Sequence, residues 1–506
     1  MDHSSPFLTL PAELIQQIIT YLSPVDLARL ARTCRLLCTH AKDERFWKPF
    51  VLSNMPSGTI TESPSSWRAL YGSHHPYWFL SRRKLWFSDY LATGKLLIAR
   101  YNARTNAIEA YVVTAERGQH TFELWEHNPE VIIHRFEPKV QLDLNAPVLR
   151  LDAAAYTSAV GPEGSESNIL QKELRMNVHS NNSSRGLNSM FMLARPCPPE
   201  DIRLGTAVWP PQIIPASERT RNHSVSRYRS NGHKPSKLSQ VSEATWRLRK
   251  WMEFTHHSQG MSMRVGEDVT TYATLDEELY TPTKQKPWRG IWVGDYSGHG
   301  CEFLVILQPD EPGPLPEGAQ RVINRRNGSV SSAGSWMTAP SEMTPPEDND
   351  EASSSMASST TTLGQGNNNT PGSSDEDSEG SGAAKVREHW DDGTAAEMDE
   401  PEYSGRLEAI KLTGDPNIPR GEHTFIAPDV GPDGLIRVAD EDIFRGARVV
   451  KSVGHIAARG FREDAFIPSQ LILISHDRLA QYWETFGHIS FYQRVDLDKL
   501  LRYQNP

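Results

Sequence analysis

The sequence predicts an α+β protein, with a small helical N-terminal module followed by a mostly antiparallel, barrel-like β domain with disordered insertions. Three observations carry that expectation. Leucine and isoleucine recur at helical spacing between Leu8 and Ala41. Beyond Leu85 the apolar residues fall instead into short β-branched and aromatic runs separated by Asn, Gly and Pro. The stretch from Asn327 to Ala384 contains "SSSMASSTTTLGQGNNNTPGSSDEDSEGSG" and has no Lys or Arg between Arg326 and Lys385. It has too little apolar surface to offset the entropy of ordering it.

At 506 residues the chain exceeds one ordinary core, so two or more folded units with linkers are expected. A net charge of -10 and a pI near 6.0 argue against coating nucleic acid, which needs clustered Lys and Arg. Four cysteines without a CxxC pair suggest neither a disulfide framework nor structural zinc. No run approaches 18 apolar residues and no basic leader precedes an apolar core, so neither membrane span nor secretion is expected. The expected location is the cytoplasm and/or nucleus. The Asn-x-Ser matches at Asn181 and Asn222 then read as chance.

In chain order, Leu14, Ile15, Ile18, Ile19 and Leu22 predict a first helix, with Pro11 near its first turn and Glu13 at the positive end of its dipole. Ser23, Pro24 and Asp26 supply an N-cap, a first-turn proline and an acidic N3 residue for a second helix carrying Leu27, Leu30 and Cys34. Leu36, Leu37 and Cys38 open a third short segment, and "DERFWKPF" adds Phe46, Trp47 and Phe50. A few dozen residues cannot bury all of these internally, so the module is read as a docking surface for a partner. A helix-turn-helix lacks its glycine turn here, and a plain extension of the core is the bland alternative.

Residues 56–90 form a connector. Strands follow in "KLLIARYN", "AIEAYVVTAE", "TFELWEHN" and "EVIIHRFEPKVQLDL", and then in "GIWVGDYSGHGCEFLVILQ". Beyond the acidic insertion come "RLEAIKLTGDPN", "LIRVAD", "ARVVKSVGHIAARGF", "SQLILISHD", "RLAQYWETFG" and "ISFYQRVDL". Short strands at this spacing suggest one antiparallel system, closed or nearly closed. The resulting boundaries are 1–55, 56–90, 91–326 with flexible insertions at about 161–186 and 221–240, 327–400 for the acidic insertion, and 401–506. "SSDEDSE" reads as a solvated spacer more readily than as a phosphorylation site.

The run "LPAELIQQIITYLSPVDLARLARTCRLL…FWKPF" resembles an F-box. The resemblance implies docking to a Skp-family adaptor, and through it to a cullin and a RING subunit. Leu10, Pro11, Leu14, Ile15, Ile18, Leu22, Leu27 and Leu30 are the candidate adaptor contacts. A second resemblance, to the family of F-box only protein 31 and most to its fungal members, rests on "PWRGIWVGDYSGHGCEFLVIL", "KLTGDPNIPRGEHTF" and "GHIAARGFREDAFIPSQLILISHDRLAQYWETFGHISFYQRV" in that order. It implies a β-rich domain that receives substrate proteins, including short C-terminal tails.

Candidate substrate contacts are Trp292, Tyr296, His299, Asn417, Arg459 and Phe461. The residues alone leave other readings open. Gly294, Gly298 and Gly300 have neither dinucleotide nor P-loop spacing, His299 fits a hydrogen-bonded turn, and Asp415 with Asn417 fits turn stabilisation. Trp288, Trp292 and Trp483 fit the core. No nucleophile elbow, HExxH or paired-carboxylate pattern stands out, so no catalytic residue and no cofactor are expected. The overall expectation is a non-catalytic substrate receptor of a ubiquitin ligase; the alternative is an F-box scaffold acting outside one.

Overall fold

The computed structural model describes residues 6–55, 63–90, 93–118, 120–159, 168–176, 178, 187–222, 228–230, 232–256, 261–296, 299–328 and 403–502. The insertion expected over 327–400 lies outside them from residue 329 onward, while Asn327 and Gly328 close a helix.

The N-terminal module comprises α1 (Ala12–Ile19), α2 (Pro24–Leu30), α3 (Arg35–Ala41) and α4 (Glu44–Leu52). Ser23 caps α2 as its sequence requires, its Oγ accepting from the Asp26 N–H at 3.2 Å with Pro24 in the first turn. Ile15, Ile19, Leu27, Leu37 and Trp47 form the module's core, and the Trp47 indole donates to the Ala41 carbonyl at 2.8 Å. In the connector lie α5 (Trp67–His74) and α6 (Phe79–Arg83). Glu44, at the start of α4, caps α5. Ser66 Oγ donates to its Oε1 (2.7 Å), and the N–H groups of Trp67 and Arg68 donate to its Oε2 (2.5 and 3.1 Å). Tyr71 of α5 packs on Trp47 and Phe50 below and on Trp78 above, so the module grades into the body through one aromatic stack.

The body opens with β1 (Leu85–Asp89), β2 (Leu96–Asn102), β3 (Ala107–Glu116), β4 (His120–Trp125), β5 (Asn128–Phe136), β6 (Lys139–Leu142) and β7 (Leu149–Leu151). After α7 (Ala153–Ala159) come β8 (Leu174–Arg175), β9 (Leu187–Leu193), α8 (Pro199–Arg203), β10 (Val208–Trp209), β11 (Thr220–Arg221) and the long hairpin β12 (Thr245–His256) with β13 (Met261–Ala273). A first large sheet runs β6-β3-β2-β1-β13-β12-β9-β8, with β7 beside β3. One of its faces packs on Tyr77, Trp78, Phe79 and Leu80 of the connector. Strand β1, where the strand reading begins at Leu85, lies within the 56–90 connector and belongs to this sheet. Of the insertion expected to be flexible over about 161–186, residues 168–176 and 178 are described, and Leu170, Leu174, Met176 and Val178 join the same core.

The second large sheet follows α9 (Glu277–Tyr280). Its strands are β14 (Gly290–Asp295), β15 (Cys301–Leu307), β16 (Leu407–Lys411), β17 (His423–Ala427), β18 (Leu435–Val438), β19 (Arg448–Ala458), β20 (Arg462–Ser475), β21 (Arg478–Trp483) and β22 (His488–Arg494). Helix α10 (Glu317–Gly328) precedes β16, and α11 (Leu497–Arg502) follows β22. Eight strands, β14-β15-β16-β17-β19-β20-β21-β22, form a barrel that β22 closes by pairing antiparallel with β14. Closure removes the edges that an open sheet would expose. The described residues thus build two large sheets and a separate β10–β11 pair where one system was expected, and the barrel's β14–β15 wall packs against the first sheet through Ile291, Val293, Phe303 and Val305.

Candidate docking face and barrel mouth

Helix α1 carries two apolar stripes. Ile15 and Ile19 point inward, whereas Leu14 and Ile18 are 45% and 43% exposed. Pro11 is exposed beside them. Tyr21 and Leu36, absent from the candidate adaptor contacts, are exposed too. Leu10, Leu22 and Leu30 are half-buried against the module core. Ile15 and Leu27 are buried, so these two residues support the module and offer no accessible face. Nothing in α1 itself distinguishes the stripes; which one turns inward is decided by where α2 and α4 close on it.

The barrel has two unlike ends. Its interior is apolar along Trp288, Trp292, Leu304, Ile306, Leu471 and Leu473. Trp292 lies within this layer, its indole N–H donating to the Trp288 carbonyl at 3.0 Å, so it is a core residue and not a contact surface. Toward the end where β14 turns into β15, the inward positions become polar. Ser452, Ser469, Gln481 and Tyr492 form a chain across four strands, with Ser452 Oγ to Ser469 Oγ at 2.7 Å, Gln481 Nε2 to Ser469 Oγ at 3.2 Å and Tyr492 Oη to Gln481 Oε1 at 3.1 Å. Two glycines make room for the rings here. A Cβ on Gly454 would collide with the Trp483 indole, and one on Gly294 would lie 2.6 Å from the Tyr492 ring.

Beside this chain sits a buried charge cluster. Lys411 Nζ lies 2.9 Å from Glu302 Oε2, 2.5 Å from Asp415 Oδ2 and 4.1 Å from the centre of the Tyr296 ring. Neither Glu302 oxygen has a well-aligned donor. Burial pushes the Glu302 carboxyl up to about 8; Lys411 opposes the shift and the neighbouring Asp415 charge adds to it. Burial, the largest influence on Asp415, opposes its ionisation, but Lys411, a hydrogen bond with Glu302 and the Ile418 N–H together outweigh it, and Asp415 stays below its usual range with the Asn417 and Ile418 N–H groups on its Oδ1. At neutral pH Glu302 is therefore held protonated beside an ionised Asp415.

The remaining sequence candidates lie in turns at this same end. Tyr296 hydrogen-bonds Thr424 through its hydroxyl at 2.9 Å, and burial drives that phenol well above its ordinary range. His299 is exposed in the β14–β15 turn, its N–H on the Tyr296 carbonyl at 3.1 Å; Gly298 lies outside the described residues. Asn417 Nδ2 donates to the Ala457 carbonyl at 3.0 Å, tying the β16–β17 turn to the β19–β20 hairpin, at whose tip Arg459 is exposed and Phe461 half-buried. The structure thus gathers Tyr296, His299, Asn417, Arg459 and Phe461 at one mouth, with Trp292 set deeper. Glu302, Lys411, Thr424, Ser469 and Gln481 complete it. Their sequence signal is faint: polar residues at inward positions of strands that are otherwise apolar.

Two family models match this chain. Residues 7–53 match the F-box-like family. The chain carries an F-box-like domain. Residues 272–499, which span the whole barrel, match the family described as "Cyclin D1 binding domain". No curated protein matches the chain. Among the described residues, no helix is long and apolar enough to cross a membrane, and no group of three His, Cys, Asp or Glu side chains could hold a metal ion.

Proposed function

We propose that this protein is the substrate-receptor subunit of a Skp adaptor–cullin–RING ubiquitin ligase, related to the fungal members of the F-box only protein 31 family. The reading rests above all on the bare stripe of Leu14 and Ile18, which lies beside the stripe that the F-box-like domain needs for its own core. An apolar stripe left in water beside a packed one is what helix-to-helix docking uses. The barrel mouth would then hold substrate, and the description of the matched family makes a cyclin-type protein the first to try there. The subunit would work without chemistry of its own, in the cytoplasm and/or nucleus, by raising the local concentration of substrate lysines beside a charged conjugating enzyme.

Pull-down with a purified Skp-type adaptor tests the docking half. The wild-type chain should retain adaptor, and the Leu14→Asp, Ile18→Asp double variant should lose it while remaining folded. Equal retention by both would refute the assignment. Ubiquitination in the reconstituted assembly tests the receptor half and separates it from a scaffold that binds adaptor without delivering substrate.

A further inference from the structure

Among the large apolar side chains exposed on the described surface are Leu14 and Ile18 of α1, and a group of three on the β4–β5 ribbon. This ribbon lies outside the residues of the barrel match. It joins the barrel because β5 pairs in parallel with the start of β22, His488 opposite Ile132 and Ser490 opposite His134. Partners in register point to the same side of a sheet. Ile132 and His134 therefore continue the barrel's inner face, the one carrying Ser490 and Tyr492, outward past the point where β14 ends. On β4, Phe122 stands opposite His134 and Leu124 opposite Ile132. Phe122, Leu124 and Ile132 are 66%, 68% and 45% exposed, and Phe486 in the adjoining β21–β22 turn is exposed as well. The ribbon's other face is anchored through Trp125, Val131 and Ile133 against Phe444 and Ile489, and the Trp125 indole donates to Glu441 at 3.1 Å. The bare side is thus held rigidly, as a ledge beside the mouth.

We propose that this ledge is the second half of the substrate site, binding apolar side chains that precede the substrate's last residues. The proposal rests on the mouth receiving a substrate's C-terminal end. It commits to an extended peptide because the ledge is continuous with the mouth's inner wall and its exposed side chains Phe122, Leu124 and Ile132 are apolar. At about 3.3 Å per extended residue and about 4.8 Å between strands, a chain whose last residue sits level with Tyr492 reaches Ile132 and Phe122 about three to five residues earlier. The mouth would read the end and the ledge the few positions before it.

A library of fluorescein-labelled ten-residue peptides, randomised over the last six positions and ending in a free carboxylate, tests this on the full-length protein. Wild type should enrich Leu, Ile, Phe or Met at the third to fifth positions from the end. The Phe122→Ser, Leu124→Ser double variant should bind an enriched peptide about tenfold more weakly, yet bind a version cut to its last two residues as wild type does. Both substituted positions are exposed, so an unchanged melting temperature checks the fold. Enrichment confined to the last two positions, or equal binding of the long peptide by the variant, would overturn the ledge and leave the mouth standing. No enrichment at any position would overturn both. A wild-type dimer in sedimentation that the double variant loses would instead assign the ledge to self-association.

Discussion

Replacing Glu302 with Gln should make the protein more stable at high pH and leave it nearly unchanged in acid. The folded chain holds the Glu302 proton up to about pH 8, whereas an unfolded chain releases it near its ordinary value of 4.5. Between those limits the folded state binds more protons than the unfolded state, so stability falls as pH rises. At about 1.4 kcal/mol per pH unit, the interval gives a loss of up to about 5 kcal/mol, complete above pH 8 and absent below pH 4.5. Asp415 does not offset this, because its lowered carboxyl titrates below its ordinary 3.8, under the window. Gln cannot ionise, so the variant should lack this pH dependence. It should exceed wild type by about 2 to 5 kcal/mol at pH 8.5 and match it within about 1 kcal/mol at pH 4.5. Urea unfolding followed by tryptophan fluorescence at both pH values measures the difference. A gap between the two proteins that is the same at both pH values would refute the account of Glu302 as a carboxyl kept protonated by burial.

Lys411→Met should behave oppositely to Glu302→Gln, losing about 3 to 5 kcal/mol at neutral pH because Asp415 is left as a buried carboxylate without its cation; the same urea titration reads it. Ile15→Ala should cost about 2 to 5 kcal/mol in the unfolding of the N-terminal module, whereas Leu14→Ala should change its stability by less than about 1 kcal/mol and act on adaptor affinity instead. Gly294→Ala should destabilise the barrel by about 1 to 3 kcal/mol, since the new methyl meets the Tyr492 ring, and thermal melting will show it. Glu44→Ala removes three hydrogen bonds from the start of α5 and should cost about 1 to 2 kcal/mol. Hydrogen exchange should then rise at Trp67 and Arg68 before it rises in the barrel.

Local chemistry was the legible part. Ser23, Pro24 and Asp26 announce the start of α2 by residue type and spacing alone, and the runs that became β2, β3 and β19 to β22 stand out as short β-branched or aromatic stretches bounded by turn residues. Strands β12 and β13 leave no comparable mark. Their alternate positions include Arg247 and Arg249, which are buried here because Tyr228, Thr220 and backbone carbonyls surround the first while Glu173 and Glu267 pair with the second. A charged residue satisfied by distant partners looks like surface in the sequence. The same limit applies to the mouth. Tyr296 and Asn417 stand out in unusual turns, but Lys411 and Glu302 sit in ordinary strand patterns, and only the antiparallel pairing of β15 with β16 puts them side by side. Barrel closure follows from the run of short strands, but which strands close it does not, because that depends on β22 meeting β14 across the fold.

The long connection between β15 and β16 leaves and re-enters the barrel at two neighbouring staves, Leu304 opposite Lys411 and Leu307 opposite Glu408. Those staves are zipped together by their own ladder, so the tether between them sets neither register nor shear. A nick in that connection beyond α10, which itself packs on the barrel through Ala319 and Arg326, would therefore leave two pieces whose complementary staves still specify the same cylinder.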